Sequence, residues 1–125
     1  MPKAVADTVN FTRYDLKSCP EGFVTLRPLS YGEMLDRVDM AGKMAMSADK
    51  KMQSAEATIE MAQGAVQIFE FQHCIGEHNL EDADGNLLNL GNAQDIRRLD
   101  PKVGGEIASL IDKLNQLPED VSSGN

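Results

Sequence analysis

His73, Cys74 and His78 are the one cluster of residues whose chemistry suits a metal ligand or a nucleophile and its base. On a helix Cys74 and His78, four apart, share a face. A structural zinc needs four ligands. Cys19 supplies a third only if its own segment packs here, and no fourth is evident. The same pair has the composition of a Cys–His dyad, but a reactive thiolate needs an electropositive, accessible setting. Cys74 lies instead among Ile68, Phe69, Phe71 and Ile75, beside Glu70 and Glu77, and such surroundings raise a thiol pKa. The expectation is a buried, reduced Cys74 and a His78 near a helix C-terminus, where an imidazolium meets the negative end of the dipole. Two cysteines make no disulfide framework.

Asp82-Ala83-Asp84-Gly85-Asn86 has the composition of a calcium loop in the wrong register. An EF-hand starting at Asp82 needs Gly sixth and Glu twelfth, and those positions hold Leu87 and Ala93. The segment reads as a turn, with Gly85 supplying positive φ. Gly104-Gly105 lacks the Lys and Ser/Thr of a phosphate-binding loop, and no nucleophile elbow or His-Glu-x-x-His occurs. No catalytic residue, cofactor or metal site is expected, and the chain is expected not to be an enzyme.

Twelve Lys and Arg stand against twenty Asp and Glu, for a net charge of −8. Phosphate binders cluster cations, so neither nucleic acid nor an anionic membrane is an expected partner. No apolar run approaches the roughly 20 residues of a membrane helix, and the N-terminus lacks the apolar core of a signal peptide. An intracellular location follows as an expectation. Leu, Ile, Val and Phe supply 29 of 125 residues, above the roughly one fifth below which chains tend to disorder.

These residues are distributed as an α+β protein, mainly α-helical, a small single domain of three or four helices and two short β-hairpins. Residues 1–10 read as a flexible arm, 11–117 as the globular domain and 118–125 as a disordered tail. Residues 12–16 and 23–27, split by Ser-Cys-Pro-Glu-Gly, predict the first hairpin. Ser30 and Glu33 form a capping box for a helix over 31–48. A second helix is expected over 55–78, apolar nearly all round in its middle turns. The Asp-Gly turn predicts the second hairpin. Asn92 caps a short helix to Leu99, and Asp100-Pro101 opens an amphipathic helix closed by Pro118. The expected core comprises Leu26, Leu35, Val38, Ile59, Val66, Phe69, Ile75, Val103, Ile107, Leu110, Ile111 and Leu114.

Six of the seven methionines crowd the central third of the chain. Methionine fills cores, but it also makes adaptable surfaces for apolar segments. Met34, Val38, Ala41 and Ala45 form one strip and Met40 with Met44 another, pointing elsewhere, so both can hardly face one small core. Met34, Met40, Met44, Met61 and Phe71 are therefore the candidate partner-binding or self-association residues. Glu56, Glu60, Glu70, Glu77 and Glu81 read as a solvated face that keeps such a surface soluble.

Three segments carry a family resemblance: residues 24–33 (Val-Thr-Leu-Arg-Pro-Leu-Ser-Tyr-Gly-Glu), Phe69-Glu70-Phe71-Gln72-His73-Cys74-Ile75 with His78-Asn79-Leu80, and residues 99–107 (Leu-Asp-Pro-Lys-Val-Gly-Gly-Glu-Ile). Together they resemble tail assembly chaperones of long-tailed, siphovirus-type bacteriophages, over about residues 10–117. The resemblance implies a small, acidic, mainly helical, non-enzymatic protein of the host cell cytoplasm. Its client would be the tape measure protein, kept soluble while tail tube protein is recruited, and the chaperone would leave before the virion is complete. It also implies a longer frameshifted form, for which the segment after Pro118 is the natural junction, and a possible homo-oligomer. The alternative is a structural head–tail connector or tail completion protein retained in the virion.

Overall fold

Strand β1 (Thr12–Asp15) and strand β2 (Phe23–Leu26) form the expected antiparallel hairpin, with Thr12 opposite Leu26 and Asp15 opposite Phe23. The computed structural model describes residues 2–50 and 54–116, except for the side chains of 48–50. The expected tail 118–125 and the stop at Pro118 lie outside the described residues. In the turn, Glu21 takes the left-handed conformation (φ 69°). Gly22 is needed for space, because a Cβ there would sit 2.9 Å from Cys19 Sγ and 3.1 Å from Leu80 Cδ2. The turn is fastened from a distance: the Glu106 carboxylate accepts from the backbone N–H groups of Lys17 and Ser18 and from the Ser18 hydroxyl.

Helix α1 (Tyr31–Lys50) and helix α2 (Ala55–Cys74) follow as a helical hairpin. The capping box forms in both directions: Glu33 N–H donates to Ser30 Oγ at 3.2 Å, and Ser30 N–H donates to Glu33 Oε1 at 2.9 Å. The second helix stops four residues short of His78. Ile75 turns extended, and strand β3 (Ile75–His78) pairs antiparallel with β2, giving a three-stranded sheet in the order β1-β2-β3. Tertiary pairing overrides the helical pattern here. Gly76 allows it, since a Cβ would meet the Phe11 ring at 2.8 Å and Thr25 Oγ1 at 2.9 Å. Asn79 prolongs the pairing with side-chain hydrogen bonds to Phe23 N–H and the Glu21 carbonyl.

The second hairpin reduces to a single bridge between Glu81 and Leu87. Asp82 Oδ1 accepts from the N–H groups of Asp84 and Asn86, and Gly85 turns at φ 83°. The flanks then dive inward, burying Leu80, Leu88 and Leu90 instead of running on as strands. Helix α3 (Ala93–Arg97) is capped by Asn92 and helix α4 (Pro101–Asn115) by Asp100, as their sequences predict.

The core is one cluster. Val24 and Leu26 point into it from alternate positions of β2, Phe71 and Cys74 from the end of α2, and Val103, Ile107 and Ile111 from α4. Four expected core residues lie elsewhere: Val38 is 66% exposed, Ile59 57% and Leu35 54%, while Val66 is half-buried and lines a groove of the helical hairpin instead of joining the core. No described side chain of α1 is buried, and the buried residues of α2 are all in its last five positions. The hairpin is therefore an arm: its base joins the core, while each helix is covered along most of its length only by the other.

What fixes the arm is polar. Arg27 grips Glu33 through Nη1 and Nη2 of its guanidinium, which donate to the two carboxylate oxygens at 2.8 and 2.9 Å. That fork, helped by Ser30 N–H, holds the Glu33 carboxyl at about 2, against 4.5 in the ordinary case. The folded state thus binds this proton less readily than the unfolded chain. Its stabilisation is present above about pH 4.5 and is lost as pH falls toward about 2. Glu33→Gln is expected to lower stability by about 1–2 kcal/mol near neutral pH. Urea unfolding of both proteins across pH should show that gap narrowing on acidification; a gap independent of pH would contradict the assignment.

Candidate functional site

The two faces of the arm are chemically different. Met40, Met44 and Met61 come together on one face, in an open cleft of about 500 Å³ floored by Gly64, Ala65 and Ile68. Arg97 of α3 stands at its inner end. On the opposite face Ala41 and Ala45 of α1 meet Ile59, Ala62 and Val66 of α2 along a groove of about 650 Å³. The two strips predicted on α1 do point apart, one to each side of the line where the helices touch.

Met34 and Phe71 do not join the cleft. Met34 is half-buried and packs against the core at the base of α1. Phe71 is 3% exposed and belongs to the core, three residues before the equally buried Cys74. Where α2 enters the body, the sheet and α4 cover a side that is bare further out along the helix. An apolar residue at position 71 is covered for that reason, and one at position 59 is not.

At the arm's base Arg37 and Glu70 form an ion pair, 2.5 Å from Nη1 to Oε2. Burial raises the Glu70 carboxyl above its ordinary value while Arg37 pulls it back. Asp112 of α4 completes the inner end of the groove.

The His–Cys cluster is dispersed by the end of α2. Cys74 is the last helical residue, and His78 stands in β3 with Nδ1 accepting from Leu80 N–H at 3.1 Å. Burial holds the His78 pKa below its ordinary value, and the residue stands in β3 and not at the helix C-terminus expected for it. His73 occupies the last turn instead, stacked on Phe69 at 4.0 Å with Nδ1 2.9 Å from the Phe69 carbonyl. Burial pushes the Cys74 thiol up to about 11, with Arg27 opposing. Among the described residues no three His, Cys, Asp or Glu side chains are placed to hold a metal ion. No helix of the described residues is long and apolar enough to cross a membrane.

Val38, Ile59 and Leu35 are the surface residues that hydrophobicity alone misplaces. One signal marks Leu35 and Val38, though not Ile59: Tyr31, Leu35, Val38, Gly42 and Ala45 follow a 4, 3, 4, 3 spacing, the seam of a helix packing on another helix. No protein-family model, curated protein or solved structure matches the chain.

The thiol chemistry gives a direct test. Iodoacetamide at mildly alkaline pH should modify the half-exposed Cys19 in the native protein and leave Cys74 untouched, with both labelled in urea. Peptide mass mapping reads the result; native labelling of Cys74 would contradict its burial.

Proposed function

We propose that this protein is a tail assembly chaperone of a long-tailed bacteriophage, acting in the host cell cytoplasm. It binds the tape measure protein, keeps it soluble and promotes assembly of the tail tube, and it is not retained in the virion. The observation that carries this reading is the arm. A 20-residue helix with no buried described side chain, covered by one neighbour, holds apolar residues in readiness for something outside the chain. The methionine cleft suits an aggregation-prone helical client, because Met side chains re-pack around varied apolar surfaces. The net charge of −8 keeps so exposed a surface in solution. In this reading the protein acts by binding and performs no catalysis. A frameshifted form extended after Pro118 and tail tube protein are its further partners.

Co-expression with a tape measure protein of a long-tailed bacteriophage, the client this reading assigns, tests the proposal. The client should move from the insoluble to the soluble fraction in complex with this chain. Each Met side chain removed from such a contact is worth about 1.5–3 kcal/mol, so Met40→Asp with Met44→Asp should weaken the complex at least tenfold. Both residues line an open cleft, so the fold should survive, seen as an unchanged circular dichroism spectrum. A client that stays insoluble with the short and the extended form would overturn the proposal. Recovery of the chain from purified virions by mass spectrometry would point instead to a head–tail connector or tail completion protein.

A further inference from the structure

Four of the five arginines are paired. Arg13 meets Asp15, Arg27 meets Glu33, Arg37 meets Glu70, and Arg98 meets both Asp82 and Asp95. Arg97 alone has no carboxylate partner among the described residues, and it is exposed on the lining of the methionine cleft. The fold puts it there. Gln72 Nε2 donates to the Gly91 carbonyl at 3.2 Å, which holds the start of α3 against the end of α2. Arg98 reaches Asp82 at 3.3 Å and fastens the other end of α3 to the turn at 82–86. Arg97, the last residue of α3, is left with its charge at the cleft.

The cleft's lining holds one other charged side chain, Glu60, which is exposed and has no cation partner among the described residues. It stands outward along α2 from Ile68 and Gln72 at the inner end, by two to three turns or roughly 12–18 Å. The lining is therefore apolar in the middle, positive at the inner end and negative at the outer end. An occupant with one sign of charge at both ends satisfies one of these groups and is repelled by the other. We propose that the methionine cleft takes an amphipathic helix of the partner that carries an Asp or Glu against Arg97 and, two to three turns away, a Lys or Arg against Glu60. The apolar stripe between those charges lies on Met40, Met44 and Met61. Arg97 is the residue that selects the segment and sets which of its ends faces the body. This rests on the reading of the cleft as the client's seat and adds which stretch of a client can occupy it.

The test needs no phage protein. The probe is a synthetic amphipathic helix of about 18 residues with a Leu stripe, one Glu and one Lys about eleven residues apart beside it, and neutral residues elsewhere. One probe should bind per chain, and Met40→Asp with Met44→Asp should weaken it at least tenfold, which locates it in the cleft. Arg97→Glu should weaken it about fivefold and Arg97→Gln by less, with the circular dichroism of both variants unchanged. A second probe, with Lys in place of the Glu, should reverse the order and bind Arg97→Glu more tightly than the natural chain. Raising salt from about 0.05 to about 0.5 M should shrink the difference between the two probes. Binding that needs the methionines but ignores Arg97→Glu would overturn the proposal and leave the chaperone reading standing. Absence of binding by either probe would overturn it too. So would a dimer of the chain in sedimentation that Arg97→Glu dissociates, since the occupant would then be a second copy. A tape measure protein that stays insoluble while the charge reversal holds would count against the chaperone reading alone.

Discussion

Three separate stretches of chain are tied together at the point where the arm leaves the body. Arg27 N–H donates to the Cys74 carbonyl at the end of α2, and its guanidinium grips Glu33 in the first turn of α1. Leu29 N–H donates to Asn115 Oδ1 at the end of α4, while Asn115 Nδ2 donates back to the Ile111 carbonyl. Between them Ser30 and Glu33 close the capping box. A side chain wedged in a core ordinarily aims a helix, and among its described residues α1 has none fully buried and sends only the half-buried Met34 against the core. Its direction therefore depends on this polar knot and on the Arg37–Glu70 pair one step further out. Each charge in the knot is half-buried and multiply bonded, the arrangement in which such contacts outweigh their desolvation.

The consequence is a division of labour along the chain. The sheet, α4, the leucines at 80, 88 and 90 and the last turns of α2 bury one another and hold the body together. The outer part of the hairpin contributes little burial and keeps its apolar residues available. Free energy that a core would gain from Val38, Leu35 and Ile59 is left unrealised in the isolated chain. It is recovered when another surface covers them, and this coupling of exposed surface to binding underlies the proposed chaperone role.

Local chemistry in the sequence was a reliable guide to local structure. The β1–β2 hairpin, the caps at Ser30, Asn92 and Asp100, and the stripe of α4 are set by residues within a few positions of one another, and all appear as expected. Features decided by distant partners were hidden. Residues 75–78 continue a helical pattern and become a strand because β2 offers a free edge. Glu106, Asn79 and Asn115 look like ordinary polar residues and are the staples between elements 50 or more residues apart. The candidate site was half legible. Met40, Met44 and Met61 converge, because periodicity places them on facing sides of two helices. Phe71 and the exposed trio at 35, 38 and 59 were exchanged, since hydrophobicity marks a residue that would gain from cover and says nothing of whether the chain provides it.

The central claim is that α1 is fastened at its base and poorly covered beyond it. Native-state hydrogen exchange read by mass spectrometry measures this directly, because protection reports the free energy of local opening. The outer half of α1 should exchange through local opening well before α4, whose Ile107 and Ile111 are fully buried. Protection should rise in that half alone when a client covers it. If α1 were as protected as α4 in the free protein, opening only with global unfolding, the arm would be part of the core and the account would be wrong.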